Sequence, residues 1–477
     1  MSLSRRVGRN VSWQLVGRFY TSLLAFAVIS LLLPRMLTPG DFGVFAFHLT
    51  LYQLLNNVLD FGSGTMVVRE ASRDRTAAGR LIGMLVLFKA RAAVLGFGVL
   101  VAVAWIFEGP GPRFLLLGIA ALHLLFHAPA GAKEIFTVDM DFRRSIAATV
   151  AGQTAWLLGT AALAFATVER PAPYLLAYGL GPMVNGVLGY LWARRRVDIT
   201  YDADAEQRRE LWEQSWPAGV SMAMAATYFY IDAIMLRPLV GEEAVAQYSV
   251  AYRLMAFVLM VPVLFSQVVF PVVSRLWAAG PAALSPFFQR CLVVLASAGL
   301  AFPATVPLVA PDVMAVVYPP EYGQGAGCLA ILSLAIVLVF CAYPHIMTLL
   351  AAGRQRVMMW ISTAGVVINV TLNLWWVPRF GIEGAAWATV ATEAGVVLAA
   401  AVCTRAATGL SLRPAPLLRP ALAAAGAAGL LLLTLNVLDG SLPRLLAGLA
   451  AGALAVALGG AFPLELGTEE GAPPAAA

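Results

Sequence analysis

Charged side chains make up only 12% of the 477 residues, about half the share of an ordinary soluble domain. So few charges cannot clothe the surface of a soluble globule of this length, and a soluble enzyme is excluded. Cysteine is equally sparse. Cys291, Cys328, Cys341 and Cys403 lie far apart, with no CxxC or Cys/His pattern among them, so a disulfide framework and a zinc site are both excluded. The 42 glycines have no period, which removes a collagen-like repeat, and 60% hydrophobic residues leave no room for a disordered chain. Lysine is nearly missing: Lys89 and Lys133 stand alone beside the arginines. Short alternating strands, which a membrane barrel needs, are absent too.

What the sequence does have is apolar length. The mean hydropathy is +0.80, and a membrane-spanning helix needs about 20 apolar residues. Runs of that kind lie near 11–34, 41–64, 84–107, 112–132, 145–168, 172–193, 213–236, 244–272, 286–310, 325–350, 356–378, 381–404, 415–438 and 441–462. The predicted fold class is an all-α polytopic membrane protein with about fourteen transmembrane helices. Gln14 and Arg18 interrupt the first run, which is therefore expected to stay as a span rather than be cleaved as a signal.

Arginine sets the expected orientation. With the N-terminus in the cytoplasm, the inside segments hold 21 basic residues and the outside loops hold six, Arg35, Arg113, Arg170, Arg237, Arg379 and Arg444. Positive residues accumulate on the cytoplasmic side, so both termini are expected there. The net charge of +6 is read as topology, not as nucleic-acid binding. A mixed-charge segment at 197–212 separates residues 1–196 from 213–405. A helix pair at 406–463 and an acidic, Pro/Ala-rich tail at 464–477, expected to be disordered, follow.

Residues 34–50 and 237–253 share an apolar and aromatic pattern at an offset of 203, with Phe45 over Tyr248 and Phe47 over Val250. Both segments are short outside turns leading into even-numbered spans, which suggests a parallel internal repeat. These segments also resemble a known family. RMLTPGDFGVFAF, followed by LDFGSGTMVVREASR, is similar to the first two spans of the Wzx-type oligosaccharide flippases, members of the multidrug/oligosaccharidyl-lipid/polysaccharide exporter superfamily. FYIDAIMLRPLVGEEAVAQYSVAYRL, running on to FSQVVFPVVSRL, resembles the seventh and eighth spans, and LAAGRQRVMMWISTAGVVINVTLNLWWVPRFGIEGAAWATVATE the tenth-to-twelfth region. Ala246 departs from the glycine usual in the family.

The resemblance implies two pseudo-symmetric six-helix lobes around a central cavity, followed by a C-terminal helix pair. It implies transport of an undecaprenyl-pyrophosphate-linked oligosaccharide between leaflets by alternating access, for cell-surface polysaccharide synthesis. The expected partners are that polyprenyl-pyrophosphate lipid, membrane lipid, and a polysaccharide polymerase with its chain-length regulator. No cofactor and no metal are expected. An ion-coupled multidrug antiporter is the alternative in the same superfamily. A membrane polymerase or glycosyltransferase is disfavoured because the outside loops are short and their acids form no DxD or ExE pair, and no Walker motif is present for ATP.

A pyrophosphate and a glycan cannot cross hydrocarbon unaided, so the chain must hold cationic and polar groups at mid-depth, where they cost about 2.5–3.5 kcal/mol each on insertion. Gln14 and Arg18 lie four apart on one helix face, either as a cavity wall or with Arg18 paired to Asp60. Gln53, Asn56, Asn57 and Asp60 form a second stripe, suited to sugar hydroxyls or to interhelical hydrogen bonds. Arg253, about 14 Å deep in its run at 1.5 Å per residue, is the first candidate for the phosphate, since its planar fork makes two charge-assisted bonds. The competing reading pairs it with Asp232. Asp60, Asp232, His48 and Glu393 are candidate ion-coupling groups or ion pairs. Asn369 and Asn373, one turn apart, line the second lobe or glue helices. Lys89, Arg91 and Arg290 are expected to snorkel. His123 and His127 have no carboxylate or thiol at ligand spacing. Pro262, Pro271, Pro303, Pro307 and Pro344 are expected as hinges or static bends.

Overall fold

The computed structural model describes residues 3–109, 111–202, 205–410 and 415–460, with no strand among them. Of the sequence-predicted site residues, the side chain of Gln14 lies outside the described residues. Two compact units emerge: residues 1–257, 317–328 and 358–389 form one, and 258–316, 329–357 and 390–477 the other.

The first unit begins with α1 (Leu3–Phe26), a π-helical turn (Ala27–Leu32) and α2 (Leu33–Met36). Pro34 lacks the N–H that an α-helix would direct at Ser30, and the wider turn sits just before it. Then come α3 (Pro39–Asp60), α4 (Ser63–Arg73), α5 (Ala78–Glu108), α6 (Pro112–His127), a 3-10 segment (Ala128–Lys133), α7 (Glu134–Val138), α8 (Phe142–Phe165), α9 (Pro171–Ala193), α10 (Ala205–Leu239) and α11 (Glu242–Val258). The start of α3 is written in its sequence. Thr38 accepts from the Asp41 backbone N–H at 3.2 Å and donates to the Asp41 carboxylate at 2.8 Å, with Pro39 in the first turn. Within this unit α8 packs on α9, α5 on α6, α3 on α10 and α1 on α8. Gly43 lets α3 approach the start of α11 so closely that a Cβ there would collide with the Glu242 carbonyl.

The second unit opens with α12 (Met260–Ala278), α13 (Pro281–Val317, of which Val317 belongs to the first unit) and α14 (Gly325–Ala351, of which residues 325–328 belong to the first unit). Helix α15 (Gln355–Thr408) runs through both units, and α16 (Ala415–Leu435) pairs with α17 (Ser441–Gly459) in the second. The helix breaks at Leu259 because Pro262 cannot donate to the Val258 carbonyl. Pro271, Pro303, Pro307 and Pro344 sit inside unbroken helices. In α15, Gly381 adopts φ 57° and ψ −134° and divides the helix in two, in the interval that separates the apolar runs ending near 378 and starting near 381. The core of the second unit is apolar, with one cluster around Leu284, Phe288, Leu292 and Met347 and another joining Val309 to Leu431 and Ala455.

Ten helices among the described residues are long and apolar enough to cross a membrane. Helix α3 is not among them. Its polar stripe of His48, Gln53, Asn56, Asn57 and Asp60 dilutes its hydropathy.

Candidate functional site

The first unit holds two polar centres inside its apolar body. The first surrounds Arg253 on α11. This side chain is half-buried and has no carboxylate partner among the described residues. The ionisable groups close enough to feel its charge are three tyrosines, Tyr318, Tyr230 and Tyr178. They come from three separate stretches of chain. Tyr178 on α9 lies in an aromatic cluster, 5.1 Å from Trp156, 5.5 Å from Tyr52 and 5.7 Å from His123 between ring centroids. Gln53 on α3 is within hydrogen-bonding reach of its hydroxyl. Tyr230 lies on α10 against Phe229. Tyr318 follows α13 and is tied down from both sides. Its hydroxyl donates to the Val250 carbonyl at 3.2 Å, while Gln247 donates to the Glu321 carbonyl at 2.7 Å and accepts from the Gly325 N–H at 3.1 Å. A neutral phenol ring and hydroxyl solvate a cation without cancelling it. The guanidinium therefore keeps its capacity for an incoming anion.

The second centre is Asp232 on α10, 4% exposed. Its carboxylate accepts from the Tyr248 hydroxyl at 2.8 Å, from the Thr389 hydroxyl at 2.6 Å and from the Asn373 amide at 2.7 Å. The same Asn373 amide nitrogen lies 3.0 Å from the Asn369 side-chain oxygen. All these partners are neutral. Arg253 is not among them, so the expected Asp232–Arg253 pair does not form. Asn369 Nδ2 and Asn373 Oδ1 are buried with no hydrogen-bond partner among the described residues. The Asp232 carboxylate and the unpaired Asn373 Oδ1 bring oxygen atoms together in this buried centre, and oxygen is the ligand that a proton or a small hard cation takes.

The remaining expected residues are spread more widely. Asp60 pairs with Lys89, whose side chain is 11% exposed. The pair corrects two expectations: Asp60 is not the partner of Arg18, and Lys89 does not reach away to snorkel, because its ammonium is held by a carboxylate on the neighbouring helix. Asn56 and His127 line a small hollow beside that pair. Asn57 is exposed and donates back to the Gln53 carbonyl of its own helix at 2.7 Å. Arg18, Arg91 and Arg290 are exposed. His48 is buried, with Nδ1 2.6 Å from the Val44 carbonyl. Glu393 is buried in the second unit, near Tyr343.

The tyrosines around Arg253, and the Tyr248 and Thr389 hydroxyls on Asp232, were invisible in the sequence. In a hydropathy pattern a tyrosine at helical spacing looks like any other apolar position. Lys133 is similar: it reaches Asn185 at 2.9 Å and Thr149 at 3.1 Å inside the bundle, although in the sequence it looks like a loop residue.

Comparison with known proteins agrees with this architecture. The chain is 26% identical over 356 residues to the EPS I polysaccharide export inner membrane protein EpsE of Ralstonia solanacearum, covering 71% of this chain and 80% of that one. Among solved structures it is similar to the lipid II flippase MurJ in an inward closed conformation, with a TM-score of 0.72, 13% identity, and coverage of 92% of this chain and 97% of that chain. It is also similar to an inward-facing multidrug resistance MATE family transporter of the MOP superfamily, with a TM-score of 0.67, 16% identity, and coverage of 81% and 94%. Residues 217–375 match the MatE family. Residues 7–277, more than half of the chain, match the family described as polysaccharide biosynthesis protein, and the chain belongs to that family.

Proposed function

We propose that the chain is a multi-pass inner-membrane flippase that carries a lipid-linked oligosaccharide, through its pyrophosphate, from the inner to the outer leaflet. The observation that carries this reading is Arg253: a half-buried guanidinium within an apolar helix, surrounded by tyrosines and opposed by no carboxylate among the described residues. An unpaired cation at that depth costs several kcal/mol unless it has a task, and a diphosphate is the anion that its fork geometry fits. The polysaccharide-export relative and the lipid II flippase support the same class of substrate. A drug antiporter selects cations, which Arg253 would repel. Gln53, beside Tyr178, and Asn56 are the polar groups assigned to the glycan, and the exposed Arg18 and Asn57 belong to the same path.

Asp232, with Asn369, Asn373 and Thr389, is assigned to coupling. A buried carboxylate held by neutral donors alone keeps a charge that a proton or a small cation can balance, and exchange of that partner can drive the return of the empty carrier. The chain itself carries out no covalent chemistry. Both termini are placed in the cytoplasm, and a polymerase with its chain-length regulator consumes the product outside.

The test is Arg253→Ala with Arg253→Lys, measuring delivery of lipid-linked glycan to the outer leaflet of reconstituted vesicles. The alanine variant is expected to lose delivery and the lysine variant to keep part of it, since charge remains but the fork does not. Unchanged delivery by Arg253→Ala overturns the assignment.

A further inference from the structure

A third charged feature lies apart from both polar centres. At one end of the first unit α8 begins and α9 ends side by side, with an open hollow between them. Arg143 and Arg144 enter it from the first turn of α8, and Arg195 and Arg196 from just beyond α9. Trp192, half-buried in the last turn of α9, forms part of the wall. Its one carboxylate, Asp141, is engaged by Arg196 at 3.0 Å and Arg144 at 3.5 Å. Arg143 and Arg195 have no carboxylate partner among the described residues, and both are exposed.

The backbone adds to the positive field. Asp141 occupies the N-cap position of α8, a helix of 24 residues, yet makes no side-chain capping bond, and the first turn carries no acid. The free N–H groups of that turn therefore point the same way as the arginines. A stretch that only fixed orientation would need arginines in number. It would not need four of them to converge on one hollow with an indole beside them.

We propose that this hollow binds the phosphate headgroup of an anionic membrane phospholipid. The apolar length of α8 puts its first turn at the membrane–water boundary, where Trp192 suits the interface. Basic pockets between helices at that boundary take anionic headgroups. The four guanidinium groups exceed the single carboxylate, so a headgroup with net negative charge is selected over a zwitterion, whose own cation the arginines repel. The inference depends on the chain lying in a membrane and not on which substrate it carries.

The experiment uses the full chain, reconstituted in phosphatidylcholine nanodiscs containing a few per cent phosphatidylglycerol, with native mass spectrometry counting the lipids retained on extraction. The wild type is expected to retain phosphatidylglycerol well above its share. The double variant Arg143→Gln, Arg195→Gln is expected to lose that preference by about thirtyfold, as two interfacial charges imply. Asp141→Asn, which removes the site's one acid, is expected to raise it, so the two variants move in opposite directions around the same site. Retention unaltered by both changes overturns the proposal. Displacement of the lipid by millimolar glycerol phosphate overturns the lipid assignment, because the site would then serve a free phosphate.

Discussion

Asn373 donates its side-chain amide to Asp232 at 2.7 Å, joining two helices whose residues stand 141 apart in the chain. With Tyr248 and Thr389 it gives the carboxylate three neutral hydrogen bonds and no cation. Asp232→Asn keeps the volume and removes the charge. The variant is expected to fold and to melt no lower than the wild type, because a desolvated charge has been deleted. Glycan delivery should no longer respond to an imposed sodium or proton gradient. Vesicle transport measured with and without each gradient checks this, and an unaltered gradient dependence removes Asp232 from coupling.

The same cluster shows where the sequence stops being legible. Spacing along one helix reports which residues share a face, and so Gln53, Asn56 and Asp60 on α3, or Asn369 and Asn373 on α15, group together by spacing alone. One break was legible too, between the apolar runs ending near 378 and starting near 381, where Gly381 takes a positive φ and divides the rod. Which face meets which is not encoded locally. Nothing in the stretch around Asp60 says that its partner is Lys89 rather than Arg18. Nor does anything around Arg253 mark tyrosines from three distant segments as its neighbours. Helix packing decides those pairings, and a tyrosine announces its hydroxyl only once its neighbours are known.

Breaking the Asp60–Lys89 pair provides a direct test of the corrected pairing. The side chains are 28% and 11% exposed, so the cost of Asp60→Asn is expected at about 1–3 kcal/mol, below the roughly 3–5 kcal/mol of a fully buried pair. Lys89 would be left desolvated beside His127. The double variant Asp60→Asn, Lys89→Met should recover most of the loss. Thermal unfolding in detergent over the four-member cycle measures the coupling, and additive single effects would show that the pair carries none.

Gly43 and Gly40 make a paired prediction on α3. A Cβ at Gly43 meets the Glu242 backbone, whereas one at Gly40 meets nothing within 4 Å. Gly43→Ala must push the start of α11 away and is expected to cost about 1–3 kcal/mol, as overpacking does. Because α11 carries both Tyr248 and Arg253, glycan delivery should fall with stability. Gly40→Ala should be neutral or slightly stabilising. Melting temperatures of the two variants, measured side by side, decide it, and equal values would mean that α3 and α11 are not so close.

Tyr178 separates binding from packing at the first polar centre. Its ring belongs to the cluster with Trp156, Tyr52 and His123, while its hydroxyl belongs to the surroundings of Arg253 and Gln53. Tyr178→Phe keeps the ring and deletes the oxygen. One hydrogen bond of about 0.5–1.5 kcal/mol corresponds to a loss of about two- to tenfold in glycan delivery, with the melting temperature unmoved. Tyr178→Ala removes the ring as well and is expected to destabilise by about 3–5 kcal/mol, as large-to-small aromatic changes in cores do. If Tyr178→Phe delivers glycan at the wild-type rate, the hydroxyl has no share in the site and Tyr178 serves as packing alone. If it loses delivery without losing stability, the phenol helps to present Arg253, and adding Arg253→Lys to it should cost less than the two single losses combined.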